Sequence, residues 1–161
     1  MPECFDTGKF VISLDFELFW GVRDKRTIDT YGENILGVKQ VIPALLNLFD
    51  KYGVKGTFST VGFLFASDKS ELLRFSPSLQ PAYADRNLSP YASFDKVGNG
   101  ETDDPYHFGF SLLQQIKENG NHEIGTHTFC HYYCLEPGQT LQAFKEDLQA
   151  ALAEFEPAFL H

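Results

Sequence analysis

The sequence predicts an α/β fold whose strands are parallel. Runs typical of buried strands alternate with runs of helical hydrophobic spacing, and short joints connect them, which is the pattern of a parallel α/β sheet. Hydrophobic residues make up 43% of the chain and charged residues 22%, so an intrinsically disordered chain is excluded. A length of 161 residues suffices for one hydrophobic core. We therefore expect residues 1–161 to form a single domain.

The first three elements are predicted as a strand, a helix and a strand. In residues 9–19 apolar side chains alternate with other side chains, which indicates a strand. Apolar residues then recur at helical spacing in residues 34–52, and Gly53 is expected to end this helix in the left-handed conformation. Pro43 must either kink the helix or mark its first true turn. Residues 54–65 are rich in Val, Thr and Phe and are predicted as a second strand.

Residues 67–105 are predicted as a loop-rich insertion within this domain. Hydrophobic periodicity disappears there, apart from a short helix over residues 68–75, and turn-forming residues interrupt the segment: Pro77, Pro81, Pro90, Gly98, Gly100 and Pro105. Such a long insertion in a compact domain is usually either functional or disordered. Its aromatic residues argue against full disorder.

The remaining elements are predicted as a helix, a strand and a helix. Residues 108–119 are expected to form a helix that ends at Gly120, and residues 121–126 a third strand. The last helix is expected from residue 141 to about residue 155, with Thr140 as its N-cap and its end before Pro157. Its apolar spacing predicts a buried stripe of Leu141, Phe144, Leu148, Ala151, Leu152 and Phe155.

The charge of the chain limits the partners it is expected to bind. The formal net charge is −9 and the pI is about 4.9, so phosphate backbones and anionic membranes would be repelled. The longest apolar stretch, residues 61–66, is far shorter than the roughly 20 residues a membrane helix needs. We therefore expect neither a nucleic-acid partner nor a membrane segment.

The amino terminus and the cysteines indicate a cytoplasmic protein. The chain begins without a basic start or an apolar run, so no secretory signal peptide is expected. Three cysteines, at positions 4, 130 and 134, are too few for a disulfide framework. Cys130 and Cys134 flank His131, but no second Cys/His pair with zinc-finger spacing exists. Small buried thiols in a reducing cytoplasm are the favoured interpretation.

The first group of candidate site residues is a pair of carboxylates at the end of the first predicted strand. Asp15 and Glu17 point to the same side of the strand, about 6.6 Å apart along it, because strand side chains alternate between faces. Burying two carboxylates requires a positive group beside them. The alternative is that both lie in water past the strand end or pair with nearby basic residues, namely Arg23, Lys25 and Arg26.

The second group is a pair of histidines after the third predicted strand. His127 and His131 stand four residues apart, so both imidazoles reach one metal ion if the segment takes a helical turn. A single histidine is more often structural than a ligand. Because the carboxyl ends of parallel strands lie on one side of a sheet, the histidines should meet Asp15 and Glu17 there. One carboxylate and two imidazoles are the ligand set of a catalytic zinc site, and the other carboxylate could then act as a base.

These segments resemble the polysaccharide deacetylases, carbohydrate esterases that share the NodB homology domain. The family's acidic motif, Thr-Phe-Asp-Asp-Gly, corresponds to Ser-Leu-Asp-Phe-Glu at residues 13–17, here with the spacing D-x-E. Its zinc motif, His-[Ser/Thr]-x-x-His, corresponds to His-Thr-Phe-Cys-His at residues 127–131, after the family-like run 122–125. Residues 45–58 look like the family's first helix entering its second strand.

The resemblance implies a fold, an activity and a role for each site residue. The fold would be a partial (β/α) barrel of the NodB type with its site at the carboxyl ends of the strands. The activity would be metal-dependent removal of an acyl group, foremost N-acetyl, from a sugar or glycan. Glu17, His127 and His131 would hold a divalent metal ion, foremost zinc, and Asp15 would act as the general base. The reverse assignment of the two carboxylates stays open, as do O-acyl esters and other C–N bonds as targets.

Family members carry further motifs that these 161 residues lack, namely an arginine that orients the base and a late histidine that acts as an acid. We therefore expect the chain to be the amino-terminal portion of a longer barrel. Its open sheet edge would be covered by another copy in a homo-oligomer, completed by a carboxyl-terminal half, or disordered. The alternative function is a non-catalytic fragment that binds metal or carbohydrate. The aromatic residues of 67–105 would either stack against sugars or pack down as a lid.

Overall fold

A computed structural model of the chain describes residues 8–159, with side chains described as far as residue 155. Three strands and four α-helices occur along these residues in the order β-α-β-α-α-β-α, as the sequence predicts. Their bounds in chain order are β1 Ser13–Phe16, α1 Ile28–Tyr52, β2 Thr57–Thr60, α2 Lys69–Phe75, α3 Phe110–Asn119, β3 Glu123–Thr126 and α4 Leu141–Phe159. Cys4 lies outside the described residues.

The three strands form one parallel sheet in the order β1-β2-β3. The register is level, since Phe16 pairs with Thr60 and Thr60 pairs with Thr126, so all three strands end at the same height. The expected α/β class with parallel strands is thereby confirmed. Chain segments that leave the carboxyl ends of the strands consequently start side by side.

The hydrophobic core lies on one face of this sheet. Phe16 and Phe58 are buried there among apolar side chains of the helices, including Ile42 of α1 and Ile116 of α3. The opposite face carries short polar side chains, and Ser13 and Ser59 hydrogen-bond across it at 3.0 Å. The alternation of strand side chains between faces thus separates an apolar side, which holds the helices, from a polar side.

The predicted strands were too long because short 3₁₀ helices replace their carboxyl-terminal parts. β1 is followed by a 3₁₀ helix at Leu18–Gly21, and β2 by another at Gly62–Phe65. Phe63 is fully buried among the rings of Trp20 and Phe129. Residues buried on every side lose the alternation that distinguishes a strand, so hydrophobicity alone could not reveal this change of conformation.

Helix α1 begins earlier than its apolar spacing predicts. Its N-cap is Thr27, whose backbone N–H donates to the hydroxyl of Thr30 at 3.3 Å. Pro43 lies inside the helix and does not end it. The helix stops as predicted at Gly53, which has a φ of 62°, and α3 stops likewise at Gly120 with a φ of 72°.

Residues 67–105 carry more local structure than the sequence predicts. They contain α2 and two 3₁₀ helices, Arg86–Leu88 and Tyr91–Lys96, and an isolated antiparallel bridge joins the segment's ends. Tyr83 and Phe94 are buried. These two aromatic rings therefore pack inwards, as in the alternative in which the aromatic residues of this segment pack down.

The buried face of α4 differs from the prediction. Leu141 is 67% exposed and Leu152 is 58% exposed, which corrects the predicted apolar stripe at these two positions, whereas Ala151 is buried as predicted. The buried residues of the helix are small or acidic, namely Ala143, Asp147, Ala150, Ala151 and Glu154. Small side chains allow α4 to lie close to α2 and to the Gly62–Phe65 helix.

The predicted end of α4 before Pro157 is also wrong. Proline removes one backbone hydrogen bond, and the helix continues two residues past Pro157 to Phe159. Among residues 8–159, no helix combines the length and the apolar character that crossing a membrane requires.

Candidate metal centre

The candidate site lies where the carboxyl ends of β1 and β3 meet. Glu17 is the first residue after β1, and His127 is the first residue after β3. His131 follows in the same loop as His127. The level register of the sheet brings the two segments together across the end of β2.

One carboxylate and two imidazoles converge at this point. Oε2 of Glu17 lies 3.1 Å from Nε2 of His131 and 3.6 Å from Nε2 of His127. One donor atom from each of the three residues lies within 4.8 Å of the others. Zinc bonds of about 2.0–2.1 Å in tetrahedral geometry place neighbouring donors about 3.3 Å apart. The donor chemistry and the two distances to Glu17 therefore fit a divalent metal ion.

Asp15 lies beside this group and outside it. Its Oδ1 is 3.9 Å from Nδ1 of His127, which is too long for a hydrogen bond, and its side chain is 60% exposed. His127 thus faces Glu17 with Nε2 and Asp15 with Nδ1. The two carboxylates differ in position, one in contact with both imidazoles and one open to water.

The surroundings of Glu17 favour its ionised form. The hydrogen bond to His131 is the largest influence and lowers the pKa of Glu17, while partial burial raises it. The nearby charges of His131, His127 and Lys25 lower the pKa further. An ionised carboxylate is the form that ligates a metal ion.

The histidine loop is not the helical turn that the four-residue spacing suggested. Thr128 and His131 both adopt left-handed backbone conformations, with φ of 64° and 56°. Such values are uncommon outside glycine and persist where surrounding structure holds them. Here the backbone N–H of His127 donates to the carbonyl of Thr60 at 2.7 Å, and that of Gly62 donates to the carbonyl of Thr128 at 2.8 Å.

Asp147 of α4 supports the same loop, and the sequence analysis missed it. Its buried carboxylate accepts the backbone N–H of Phe129 at 2.7 Å and that of Cys130 at 3.1 Å. Burial raises its pKa, although these hydrogen bonds oppose the shift. The sequence pattern that could have indicated Asp147 is its helical spacing with Ala143 and Ala150, which places all three on one face of the helix. The predicted stripe, based on leucine spacing, did not include this face.

Gly21 supports the other half of the site and was also missed. A Cβ atom at this position would lie 1.9 Å from both Cδ and Oε1 of Glu17, so only glycine leaves room for the carboxylate. The turn that holds both residues is anchored by Trp20, which is buried and whose Nε1 donates to the carbonyl of His107 at 2.8 Å.

Cys130 and Cys134, the two cysteines among the described residues, take no part in the three-residue group. Cys130 is buried, and burial with the neighbouring Asp147 raises the pKa of its thiol, which disfavours the thiolate that a metal needs. Cys134 is exposed and free. The geometry of the described residues therefore gives no support to a Cys-His-Cys zinc site.

Comparison with known proteins gives one match. The family model described as "Polysaccharide deacetylase" matches residues 26–159, a span that contains both histidines and begins after the two carboxylates. No curated protein and no solved structure matches the chain. The family match covers most of the 161 residues. This chain belongs to the polysaccharide deacetylase family.

Proposed function

We propose that this chain carries the metal centre of a deacetylase that hydrolyses N-acetyl groups on a carbohydrate. The observation that carries the proposal is the convergence of Glu17, His127 and His131 within 4.8 Å in a member of this family. These three residues would hold a divalent ion, foremost zinc. When bound, the ion would lower the pKa of a water molecule and polarise the acyl carbonyl.

Asp15 is the general base in this proposal. Its carboxylate is open to solvent and contacts neither imidazole at hydrogen-bond distance, so it is free to take the proton of the attacking water. The water oxygen then bonds to the acyl carbon, the C–N bond breaks as the leaving nitrogen takes up the proton that the water gave up, and acetate and the sugar amine are released. Glu17 is the ligand because its carboxylate already contacts both imidazoles, which disfavours the reverse assignment.

The three-stranded sheet is proposed to be one part of a (β/α) barrel, with residues 67–105 as an insertion in its first half. Both outer strands, β1 and β3, have an unpaired edge among the described residues. Unpaired edges are normally covered in folded proteins. Further strands or a second copy of the chain would cover them.

The first experiment measures bound metal. Purified protein loaded with zinc and then freed of excess metal should retain about one ion per chain. Glu17→Gln and His127→Ala should each lose it. Glu118→Gln, an exposed change of the same kind on α3, should keep it. Equal zinc content in all four proteins, or none in any, would overturn the assignment of ligands.

The second experiment measures turnover. With N-acetylated oligosaccharides as substrate, Asp15→Asn should keep its zinc and lose at least about a hundredfold in kcat, the usual contribution of a general base. Unchanged turnover in Asp15→Asn would show that the base is another group. A parallel panel of O-acetylated sugars separates amide from ester hydrolysis, because the same residues would serve either reaction.

A further inference from the structure

We propose that a second pocket, next to the metal centre, binds an oxyanion carried by the substrate, either a carboxylate or a phosphate. The proposal rests on the proposed function and narrows its substrate to acidic N-acylated glycans. The pocket has a volume of about 390 Å³. The 3₁₀ helix after Glu17 forms one wall, and residues of the 67–105 segment form the other.

Cationic side chains dominate the charge of this pocket. Arg23, Arg86 and Lys96 line it, and Asp24 is the one carboxylate among its described lining residues. No carboxylate oxygen of residues 8–155 lies within 4.0 Å of a charged nitrogen of those three cations. An excess of unpaired cations in one concavity is unexpected in a chain with a net charge of −9. It favours a negatively charged ligand.

Arg23 is held in place by the backbone of the 67–105 segment. Its guanidinium donates to the carbonyl of Asn87 at 3.2 Å and to that of Leu88, and both acceptors are uncharged. Its Nε is buried and has no hydrogen-bond partner. A partly buried guanidinium that meets only neutral acceptors gains most from an oxyanion, because its planar fork matches two oxygens of one carboxylate or phosphate.

A buried histidine–aspartate pair forms the floor of the pocket. Nδ1 of His107 lies 2.9 Å and 2.8 Å from the two carboxylate oxygens of Asp104, which also accepts the backbone N–H of Gly98 at 2.8 Å. Asp104 thereby fixes the ring, and Nε2 is the nitrogen that it leaves unengaged. His107 itself lines the pocket, so this nitrogen is the polar group that the ring can offer to a ligand.

The pocket and the metal centre are both built on the segment that follows β1. Phe19 and Trp20 line the pocket and stand two and three residues after Glu17 along the chain. Tyr133 packs against the metal centre, with its ring centroid 5.2 Å from that of His131, and Arg23 is among the charged groups that act on it. A glycan whose acyl group lies at the metal centre can therefore place an acidic substituent among the cations.

The test measures anion binding on metal-free protein, so that no anion can bind through zinc. Glucuronate and inorganic phosphate are titrated separately by calorimetry, which distinguishes a carboxylate from a phosphate site. Saturable binding that weakens with added salt is expected for at least one of them. In the double variant Arg86→Gln/Lys96→Gln the Kd for that anion should be about tenfold higher or more, since two charged donors are lost.

The matched control is Lys51→Gln/Lys145→Gln, which removes two exposed positive charges outside the pocket and should leave the Kd unchanged. Equal Kd changes in the two double variants, or no saturable binding of either anion to the unmodified chain, would overturn the proposal. Zinc content of the same proteins keeps the two proposals apart. If Arg86→Gln/Lys96→Gln keeps its zinc but loses anion binding, the result supports the pocket. If the unmodified chain binds the anion but retains no zinc, only the proposed metal centre is overturned.

Discussion

The position of the Glu17 carboxylate depends on a residue that has no side chain. Gly21 lies one turn further along the 3₁₀ helix, and the space that a Cβ would occupy there is filled by the end of the Glu17 side chain. Leu18, between them, has a φ of 47°, so the backbone turns sharply immediately after the ligand. Sequence and backbone together aim the carboxylate at the histidines.

Gly21→Ala is therefore expected to weaken zinc binding about tenfold or more while the chain stays folded. The added methyl group would push the Glu17 carboxylate away from His131. Zinc affinity by competition with a chelating dye is the measurement. Gly37→Ala is the control, because a Cβ there meets nothing within 4 Å. That control should keep its zinc affinity and gain about 0.5–1 kcal/mol of stability, as expected inside a helix. Equal zinc affinity in all three proteins would contradict the role of Gly21.

Glu154 makes the stability of the chain depend on pH. Its side chain is 1% exposed, and neither carboxyl oxygen has a hydrogen-bond partner. Burial, with the charge of Glu71 as a smaller cause, raises its pKa from 4.5 to about 9. The folded chain keeps this proton while the unfolded chain releases it above pH 4.5. Stability therefore falls as pH rises from about 4.5 to about 9.

Glu154→Gln is expected to remove this part of the pH dependence. Thermal unfolding at pH 5 and pH 8 should show the variant gaining on the unmodified chain by up to about 1.4 kcal/mol per pH unit. Glu118→Gln, at an exposed position, should follow the unmodified chain at both pH values. If all three proteins lose the same stability between the two pH values, the buried carboxyl is not the cause.

At the scale of elements, α4 and the histidine loop form one unit. Asp147 is the one α4 side chain among residues 141–155 that hydrogen-bonds to the backbone of that loop, and it accepts two N–H groups. In Asp147→Asn one of these donors would face an amide N–H group. We expect a loss of about 1–3 kcal/mol in stability and a tenfold to hundredfold loss in zinc affinity.

Chemical denaturation and zinc titration measure the two effects of Asp147→Asn. Asp95→Asn, an exposed change of the same kind, should leave both quantities as they are. Lower stability with unaltered zinc affinity would show that Asp147 supports the fold without positioning the histidines.

Elements whose signals are local were predictable from the sequence. The ends of α1 and α3 were predicted because Gly53 and Gly120 adopt left-handed conformations that few other residues favour. The buried face of α4 was predictable only in part, since Ala151 is buried as expected but Leu141 and Leu152 are exposed. Leucine spacing indicates the more apolar side, whereas the close approach of other elements selects the side with small residues. Pro157 likewise did not end α4, since it costs only one hydrogen bond near the helix terminus.

The residues of the candidate site were predictable from the sequence, but the backbone conformation that holds them was not. Parallel strands bring their carboxyl ends together, so Glu17 and His127 could be expected to meet. The left-handed conformations of Thr128 and His131 depend on tertiary hydrogen bonds, including those to Asp147, which no spacing rule contains. Gly21 was missed for the same reason, because its role appears only once the turn is folded.

At the scale of the whole molecule, metal binding would connect two edges of the sheet. Glu17 follows β1 and the histidines follow β3, and these are the two outer strands. A ligand that binds only the folded chain stabilises it by about 2.7 kcal/mol at a hundredfold excess over its Kd. Removal of zinc by a chelator should lower Tm by about 5–10 °C for a chain of this size.

The Tm change on chelation is measured by calorimetry with and without chelator. Glu17→Gln should show no change on addition of chelator. An identical Tm with and without zinc in the unmodified chain would show that the ion does not join the two edges.

The position of β2 between the two ligand-bearing strands sets the width that the ligands must span. Neighbouring strands lie about 4.8 Å apart, so β1 and β3 are separated by about 9.6 Å. Side chains from both ends must together cover this width above the end of β2. Glutamate at position 17 reaches one carbon–carbon bond, about 1.5 Å, further than aspartate. In this chain Glu17 spans that width, because its Oε2 lies 3.1 Å from Nε2 of His131 and 3.6 Å from Nε2 of His127.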